Sequence, residues 1–389
     1  MIFKNNLSSR KTIFLLILLT IILSVSAQEN YKEVTDGKEV YSSGESYKVK
    51  SFPQKFKQKK PRNVILMIGD GMGVAQVFAG LTANQGHLFL ENFKSVGFSK
   101  TQSSNRYVTD SAAGGTALST GQKTYNGAIG VNADTIAIKT VLEMAEDKGM
   151  ATGLVSTSAI THATPASFIA HQGSRGSYED IAADFLKTDI DVFIGGGYKH
   201  FTERKDGRDL TTELKAKGYN VLTDMNEIGQ VKTGKLAGLT ASEHNGKAEE
   251  RGDMLQVATQ TALNILGKSK KGFFLMVEGS QIDWGAHQNN TIYVVKEMLD
   301  FDQAIGKALE FAAKDGETLI IVTADHETGG LSLADGDMKT GLVKGAFATG
   351  DHTGVMVPVF SYGSGADHFT GIMENTDIPR RIRKLLKLE

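Results

Sequence analysis

The sequence predicts an α/β fold: a three-layer α/β/α sandwich around a large, mostly parallel central sheet. Short runs of continuous apolar residues recur along the chain, and such runs suit strands buried on both faces. Amphipathic stretches lie between them, so strands alternate with helices and the sheet is covered on both sides. Acidic residues stand just past several of the runs, at the edge where sheets of this kind bind ligands.

At the N-terminus, Lys4, Arg10 and Lys11 flank an apolar run from Thr12 to Val25, and Val25-Ser26-Ala27 fits a small-residue cleavage site. The run is short for a bilayer span. Residues 1–27 therefore read as a signal peptide, removed on export to the periplasm or the medium. No later stretch is apolar enough to span a membrane, and residues 28–389 read as a single domain. Residues 28–60 are polar and aperiodic, an extended arm whose lysines from Lys55 to Lys60 form a solvated linker. Strands are predicted at 63–68, 152–156, 191–195, 272–277, 318–322 and 355–360. Helices are predicted at 135–148, 178–187, 253–266, 293–313 and 378–386. Residues 199–252 are polar and less periodic; with 335–348 they read as insertions over the active edge of the sheet.

Loss of Lys4, Arg10 and Lys11 takes 43 basic residues to 40, against 44 acidic ones. That balance gives no footprint for nucleic acid and no polybasic membrane surface. There are no cysteines. The core must hold without disulfides, and any metal must be bound by His, Asp and Glu. Only 5 residues are proline while 43 are glycine; loops so poor in proline are entropically loose. Cold adaptation is the expectation this raises, and a long half-life of activity at high temperature would remove it.

The most informative stretch is Tyr107-Val108-Thr109-Asp110-Ser111-Ala112-Ala113-Gly114-Gly115. Asp110 can cap a helix whose first residue is Ser111. A serine there meets free N–H groups and a dipole that favour an anion, so it is either a cap or a nucleophile that handles phosphate. Four further motifs carry metal-ligand chemistry. Gly69-Asp70-Gly71-Met72-Gly73 ends the first strand, and its spacing is not that of a dinucleotide loop. Glu278 follows another strand, with Asp283 and His287 four residues apart and so on one face if helical. Asp325-His326 follows a third, and Asp351-His352 lies further on. Each pattern is weak alone. Together they put imidazoles and carboxylates at strand ends throughout the chain, a donor set that suits zinc, with magnesium where only oxygens meet.

These ordered motifs closely resemble those of the alkaline phosphatases, from Asn63 to the C-terminus and weakest across 199–252. The resemblance implies two zinc ions, one magnesium ion and hydrolysis of phosphate monoesters through a phosphoserine. It implies Ser111 as nucleophile and Arg175, in His171-Gln172-Gly173-Ser174-Arg175, as the phosphate clamp. Asp283, His287 and His352 match the ligands of one zinc; Asp70, Asp325 and His326 match those of the other. Asp70, Thr164 and Glu278 match the magnesium site. Two positions depart from the best-known bacterial members: His162 replaces an aspartate near the magnesium, and Trp284 replaces a lysine near the phosphate. Weaker magnesium retention is expected, with His162 as an outer hydrogen-bonding residue. His171 and His368 are expected to be structural. The implied partners are small phosphate monoesters, inorganic phosphate as product and inhibitor, and a second copy in a homodimer.

Three rivals compete with that reading. A sulfatase needs a modified nucleophile in a Cys/Ser-x-Pro-x-Arg signature, which Ser111-Ala112-Ala113-Gly114-Gly115 lacks. A phosphodiesterase of the same superfamily usually lacks the magnesium site, so Thr164 and Glu278 favour a monoesterase. An exported metal- or phosphate-binding protein without turnover has no need of the Asp110-Ser111 pair.

Overall fold

The computed structural model describes residues 38–53, 56 and 60–388. The expected signal peptide and the first part of the arm lie outside them. Fifteen strands occur among the described residues. In chain order they are β1 (Val40–Tyr41), β2 (Asn63–Gly69), β3 (Ser95–Lys100), β4 (Ala151–Ala159) and β5 (Val192–Gly196). Next come β6 (Tyr219–Leu222), β7 (Lys235–Leu239), β8 (Phe273–Gly279), β9 (Thr318–Thr323) and β10 (Glu327–Thr328). The last are β11 (Leu331–Asp337), β12 (Leu342–Phe347), β13 (His352–Thr353), β14 (Val357–Gly363) and β15 (Gly371–Glu374).

Ten of these form one sheet in the order β15-β3-β14-β9-β2-β8-β4-β5-β7-β6. Its parallel and antiparallel pairings leave β14 as the one reversed strand. Every residue of β2 is buried. Val64, Leu66 and Ile68 enter one core, with Leu142, Ile181 and Ile378 from helices on that face. Ile65 and Met67 enter the other, with Leu255, Met298 and Ile305. A strand alternates its side chains by residue. Two cores fed by alternate positions of one strand therefore establish helix, sheet and helix as three layers. The helices of the second face include Met254–Leu266 and the long Thr291–Asp315.

All six predicted strands are present, within a few residues of their expected bounds. The helix expected at 135–148 is shorter, Val141–Asp147. Thr140 sets its start, accepting from the Glu143 N–H while the Glu143 carboxylate accepts from the Thr140 N–H, a capping box. The larger difference lies in 199–252. Part of that stretch extends the sheet rather than covering it, because β6 and β7 are its last two strands. The stretch after β7 returns toward the site edge. Residues 335–348 fall within the β11–β12 hairpin, which pairs with β1 of the arm. The described arm is extended and anchored: the Tyr47 hydroxyl donates to Asp302 at 2.6 Å and its ring stacks on Phe89.

Candidate metal centre

The strands β9, β2, β8 and β4 are consecutive neighbours at the middle of the sheet. Neighbouring strands lie about 4.8 Å apart. Residues just past their carboxyl ends are thus brought within reach of one another, although they are far apart in sequence. Asp70 follows β2, Glu278 is the penultimate residue of β8, which leads to the helix Gln281–His287, and Asp325 and His326 follow β9. His162 and Thr164 follow β4, at the start of the short helix Ala163–Ala166.

Among the described residues three groups have candidate ligand atoms within 4.8 Å of one another. They are Asp283, His287 and His352; Asp70, Asp325 and His326; and Asp70, His162 and Glu278. All eight expected metal residues take part except Thr164, whose hydroxyl faces Asp70 Oδ2 at 3.5 Å. His162, expected as an outer residue, has a ring nitrogen inside the third group.

Ser111 opens the helix Ser111–Thr120, and Asp110 caps it by accepting from Ala113 N–H at 3.0 Å. Ser111 Oγ lies 3.2 Å from His326 Nε2. The small residues after it have a packing reason. A Cβ on Gly114 would stand 3.0 Å from Asp325 Cβ, so glycine lets this helix lie against the strand end that carries Asp325. Gly71 meets a similar demand: its φ of +72° is left-handed, a Cβ would touch the Asp283 backbone, and its N–H donates to Asp325 Oδ1.

The polar atoms of the centre lack protein partners where cations would sit. Asp70 Oδ1, Asp325 Oδ2, Glu278 Oε1 and His162 Nδ1 are buried without a hydrogen bond. Buried polar atoms are normally satisfied, so four unpartnered atoms around one corner fit the donor set of divalent cations. Burial, then the charge of Asp325, raises the Asp70 pKa far above the carboxylate range. Burial, then the charges of Asp283 and Glu278, pushes Asp325 to about 8. Divalent cations in their midst would relieve the same repulsion. Burial, then the charge of His352, holds His326 well below its ordinary value, hence as the neutral imidazole a metal needs.

The other pocket fits by a different route. His287 Nδ1 faces the Gly350 carbonyl at 2.6 Å, and His352 Nδ1 faces the Thr109 carbonyl at 2.9 Å. A carbonyl can only accept, so both Nδ1 atoms carry protons and the Nε2 lone pairs point inward. Those Nε2 atoms are 3.1 Å apart, and Asp283 Oδ1 is 3.3 Å and 3.5 Å from them. Three inward donors at such distances require a positive charge between them. Hydrogen bonding to Asp283 raises His287 to about 9, so a proton meets that requirement when no metal does. Burial alone would raise Asp283, but bonding to His287 and the charges of His352 and His287 hold it below the carboxylate range.

Outer residues orient these ligands. The Thr328 hydroxyl bonds Asp283 Oδ1 and meets His326 Nδ1 at 3.2 Å, tying the two pockets together. Ser156 and Ser158 donate to Glu278 Oε2. Arg175 NH1 donates to Asp110 Oδ2 at 3.0 Å, and its NH2 lies 3.3 Å from His162 Nε2. The predicted residues therefore converge on one corner. Sequence reasoning missed Thr328, the serines and His244, whose ring packs against Trp284 and His162. An isolated hydroxyl or imidazole carries no spacing that marks it. Glu327, the residue after His326, points elsewhere and braces Gln76, Leu331 and Thr353. His171 bonds Glu143 at 2.9 Å and the Gly130 carbonyl at 2.6 Å, as a structural histidine does. His368 is exposed.

A profile of the alkaline phosphatase family matches residues 61–346. This chain belongs to the alkaline phosphatase family. It is a phosphomonoester hydrolase and carries candidate metal-binding groups. Alkaline phosphatase 4 of Bacillus subtilis is 38% identical over 411 aligned positions, covering 84% of this chain and 89% of that protein. The Escherichia coli K12 alkaline phosphatase is 32% identical, covering 85% and 87%. The solved alkaline phosphatase of the Antarctic bacterium TAB5 superposes with a TM-score of 0.80 at 45% identity, covering 85% of this chain and 99% of that one. Variants of the TAB5 enzyme with one histidine changed to glutamate or aspartate are solved with magnesium in a third metal site. No helix among the described residues is long and apolar enough to cross a membrane.

Proposed function

We propose that this alkaline phosphatase works by double displacement at Ser111. The observation that carries the proposal is Ser111 Oγ, 3.2 Å from His326 Nε2 at a helix N-terminus beside the buried Asp70, Asp325 and His326. Two zinc ions, held by Asp70, Asp325 and His326 and by Asp283, His287 and His352, and a magnesium ion held by Asp70, Thr164 and Glu278, supply when bound the charge that lowers the serine pKa and stabilises the leaving oxygen. Ser111 Oγ attacks phosphorus, the ester P–O bond breaks, and the alcohol leaves with the electron pair of that bond. Water then attacks the phosphoserine and releases inorganic phosphate and the free hydroxyl. Two in-line displacements retain configuration at phosphorus. Arg175 grips two phosphoryl oxygens through its planar fork, and Asp110 holds that fork in place. The helix N-terminus adds oriented N–H groups.

Acid-quench trapping with a labelled phosphate monoester tests the proposal. Label should appear on Ser111 and not on a Ser111→Ala variant; label on another residue, or none on the wild type, would overturn it. Parallel assays on a chromogenic monoester and diester, with and without chelator, rank the phosphodiesterase and binding-protein alternatives.

Finer features belong to the same proposal. His162, beside Asp70 and Glu278, lowers magnesium retention, so His162→Asp should keep magnesium through dialysis that strips the wild type. The chain is exported and cut after Ala27, which N-terminal sequencing of the mature enzyme would check. It pairs as a homodimer through a face that includes Phe98 and Ile372, directly paired across β3 and β15 and 37% and 66% exposed. A light-scattering mass of one chain would remove the dimer.

A further inference from the structure

We propose that His244 is a positioning residue that sets the phosphate-gripping face from outside the strand-end motifs. The inference rests on the phosphatase reading of the site. His244 lies in the irregular stretch between β7 and the helix Ala248–Arg251, and it contacts both the end of β4, which leads into His162 and Thr164, and the helix that carries Asp283 and His287. On one side the Ala159 N–H, at the end of β4, donates to His244 Nδ1 at 3.0 Å. Nδ1 therefore holds the lone pair and Nε2 the proton. On the other side the His244 ring meets the Trp284 ring at 4.8 Å and 80°. Trp284 belongs to the helix that presents Asp283 and His287.

The rings form a closed set. His244 meets His162 edge-on at 5.5 Å and 87°, and His162 meets Trp284 at 6.1 Å and 90°. Perpendicular aromatic contacts are directional, so each ring limits the rotation of the other two. His162 in turn lies 3.3 Å from Arg175 NH2, opposite the Asp110 carboxylate on NH1. The guanidinium is thus held at both ends, and the His162 end leads back to His244.

The backbone around His244 is pinned. The buried Gln281 amide donates to the carbonyls of Thr157, Asn245 and Gly246 at 3.2, 2.9 and 3.3 Å, and Tyr293 holds its oxygen at 2.6 Å. Ala241 O accepts from the N–H groups of Gly197 and Tyr198, each at 3.0 Å. The stretch also presses on β5 so closely that a Cβ on Gly196 would lie 2.1 Å from the Glu243 carbonyl oxygen. His244 is a strut in a fixed frame.

Trp284 is the one tryptophan of the chain, so its emission reports this corner directly. Two variants divide the strut. His244→Asn keeps an acceptor for Ala159 N–H and removes the ring; His244→Phe keeps a ring and removes the acceptor. In the metal-loaded enzyme, His244→Asn should raise KM and the inhibition constant for inorganic phosphate by roughly five- to tenfold, change kcat less, and shift the Trp284 emission. His244→Phe should recover the phosphate affinity in part. Trapping of the phosphoenzyme should persist in both, which separates a failure here from a failure of the Ser111 mechanism. Wild-type phosphate inhibition and emission in both variants would overturn the proposal. So would a fall in kcat at unchanged phosphate inhibition.

Discussion

The two pockets beside Ser111 hold similar donors in opposite surroundings. In one, the side chains of Asp70, Asp325 and His326 are all 0% exposed. In the other, Asp283 is 7%, His352 15% and His287 36% exposed. They share a wall, because the His326 and His352 rings stack at 3.5 Å. Burial makes the difference. The inner pocket cannot shed carboxylate repulsion into water, so its acids are driven toward protonation. The rim pocket settles its charge locally, by pairing Asp283 with His287. A buried cluster of this kind binds a cation because nothing else balances it. A rim cluster binds one because two imidazoles are already aimed by backbone carbonyls.

Changes at the inner pocket should therefore be hard to rescue, and changes at the rim easy. The largest expected effect is Ser111→Ala, a loss of turnover on the order of a thousandfold or more with little change in unfolding temperature. Near-native turnover would move the chemistry away from the inner pocket. Next, Asp325→Asn should abolish activity at any zinc concentration, whereas His352→Asn should regain much of it in excess zinc. Equal rescue, followed by zinc titration of chelator-treated protein, would erase the distinction. Thr328→Val touches both pockets and should weaken zinc affinity roughly 10- to 100-fold, measured by competition with a chromophoric chelator. Arg175→Ala should raise the phosphate inhibition constant roughly 10- to 100-fold without altering zinc content.

The smallest effect lies away from both pockets and serves as their control. Burial opposes charge on His171, but its bonds to Glu143 and the Gly130 carbonyl raise its pKa. The Glu143 carboxyl is lowered against the same burial by His171 and Thr140. A raised histidine stabilises fully below its ordinary pKa and loses that contribution as pH climbs through the folded value. A lowered carboxylate loses its own as pH falls through the folded value. His171→Gln should thus cost about 1 kcal/mol or less at pH 6 and less still at pH 9, read from urea unfolding. A larger loss at pH 9 would reverse the sign.

The six strands and most long helices were legible because each is a local pattern: 63–68, for example, is an unbroken apolar run. The strands that escaped are short or half-buried. β3 alternates exposed and buried positions, and β6 is a four-residue strand of polar and apolar residues at the sheet edge. The metal residues were legible because acids and imidazoles at strand ends are unusual, and because their order resembles one family.

What the sequence alone determined is therefore the set of elements and the chemistry at their ends, since both depend on neighbours along the chain. Only the tertiary structure decided that β9, β2, β8 and β4 stand side by side, which brings residues 70, 278 and 325 to one point. It also decided that His244 reaches Trp284 and His162. Strand order and side-chain contact across layers are settled by the packing of the whole core, where burial of both faces selects one arrangement, and no short window of residues contains that information.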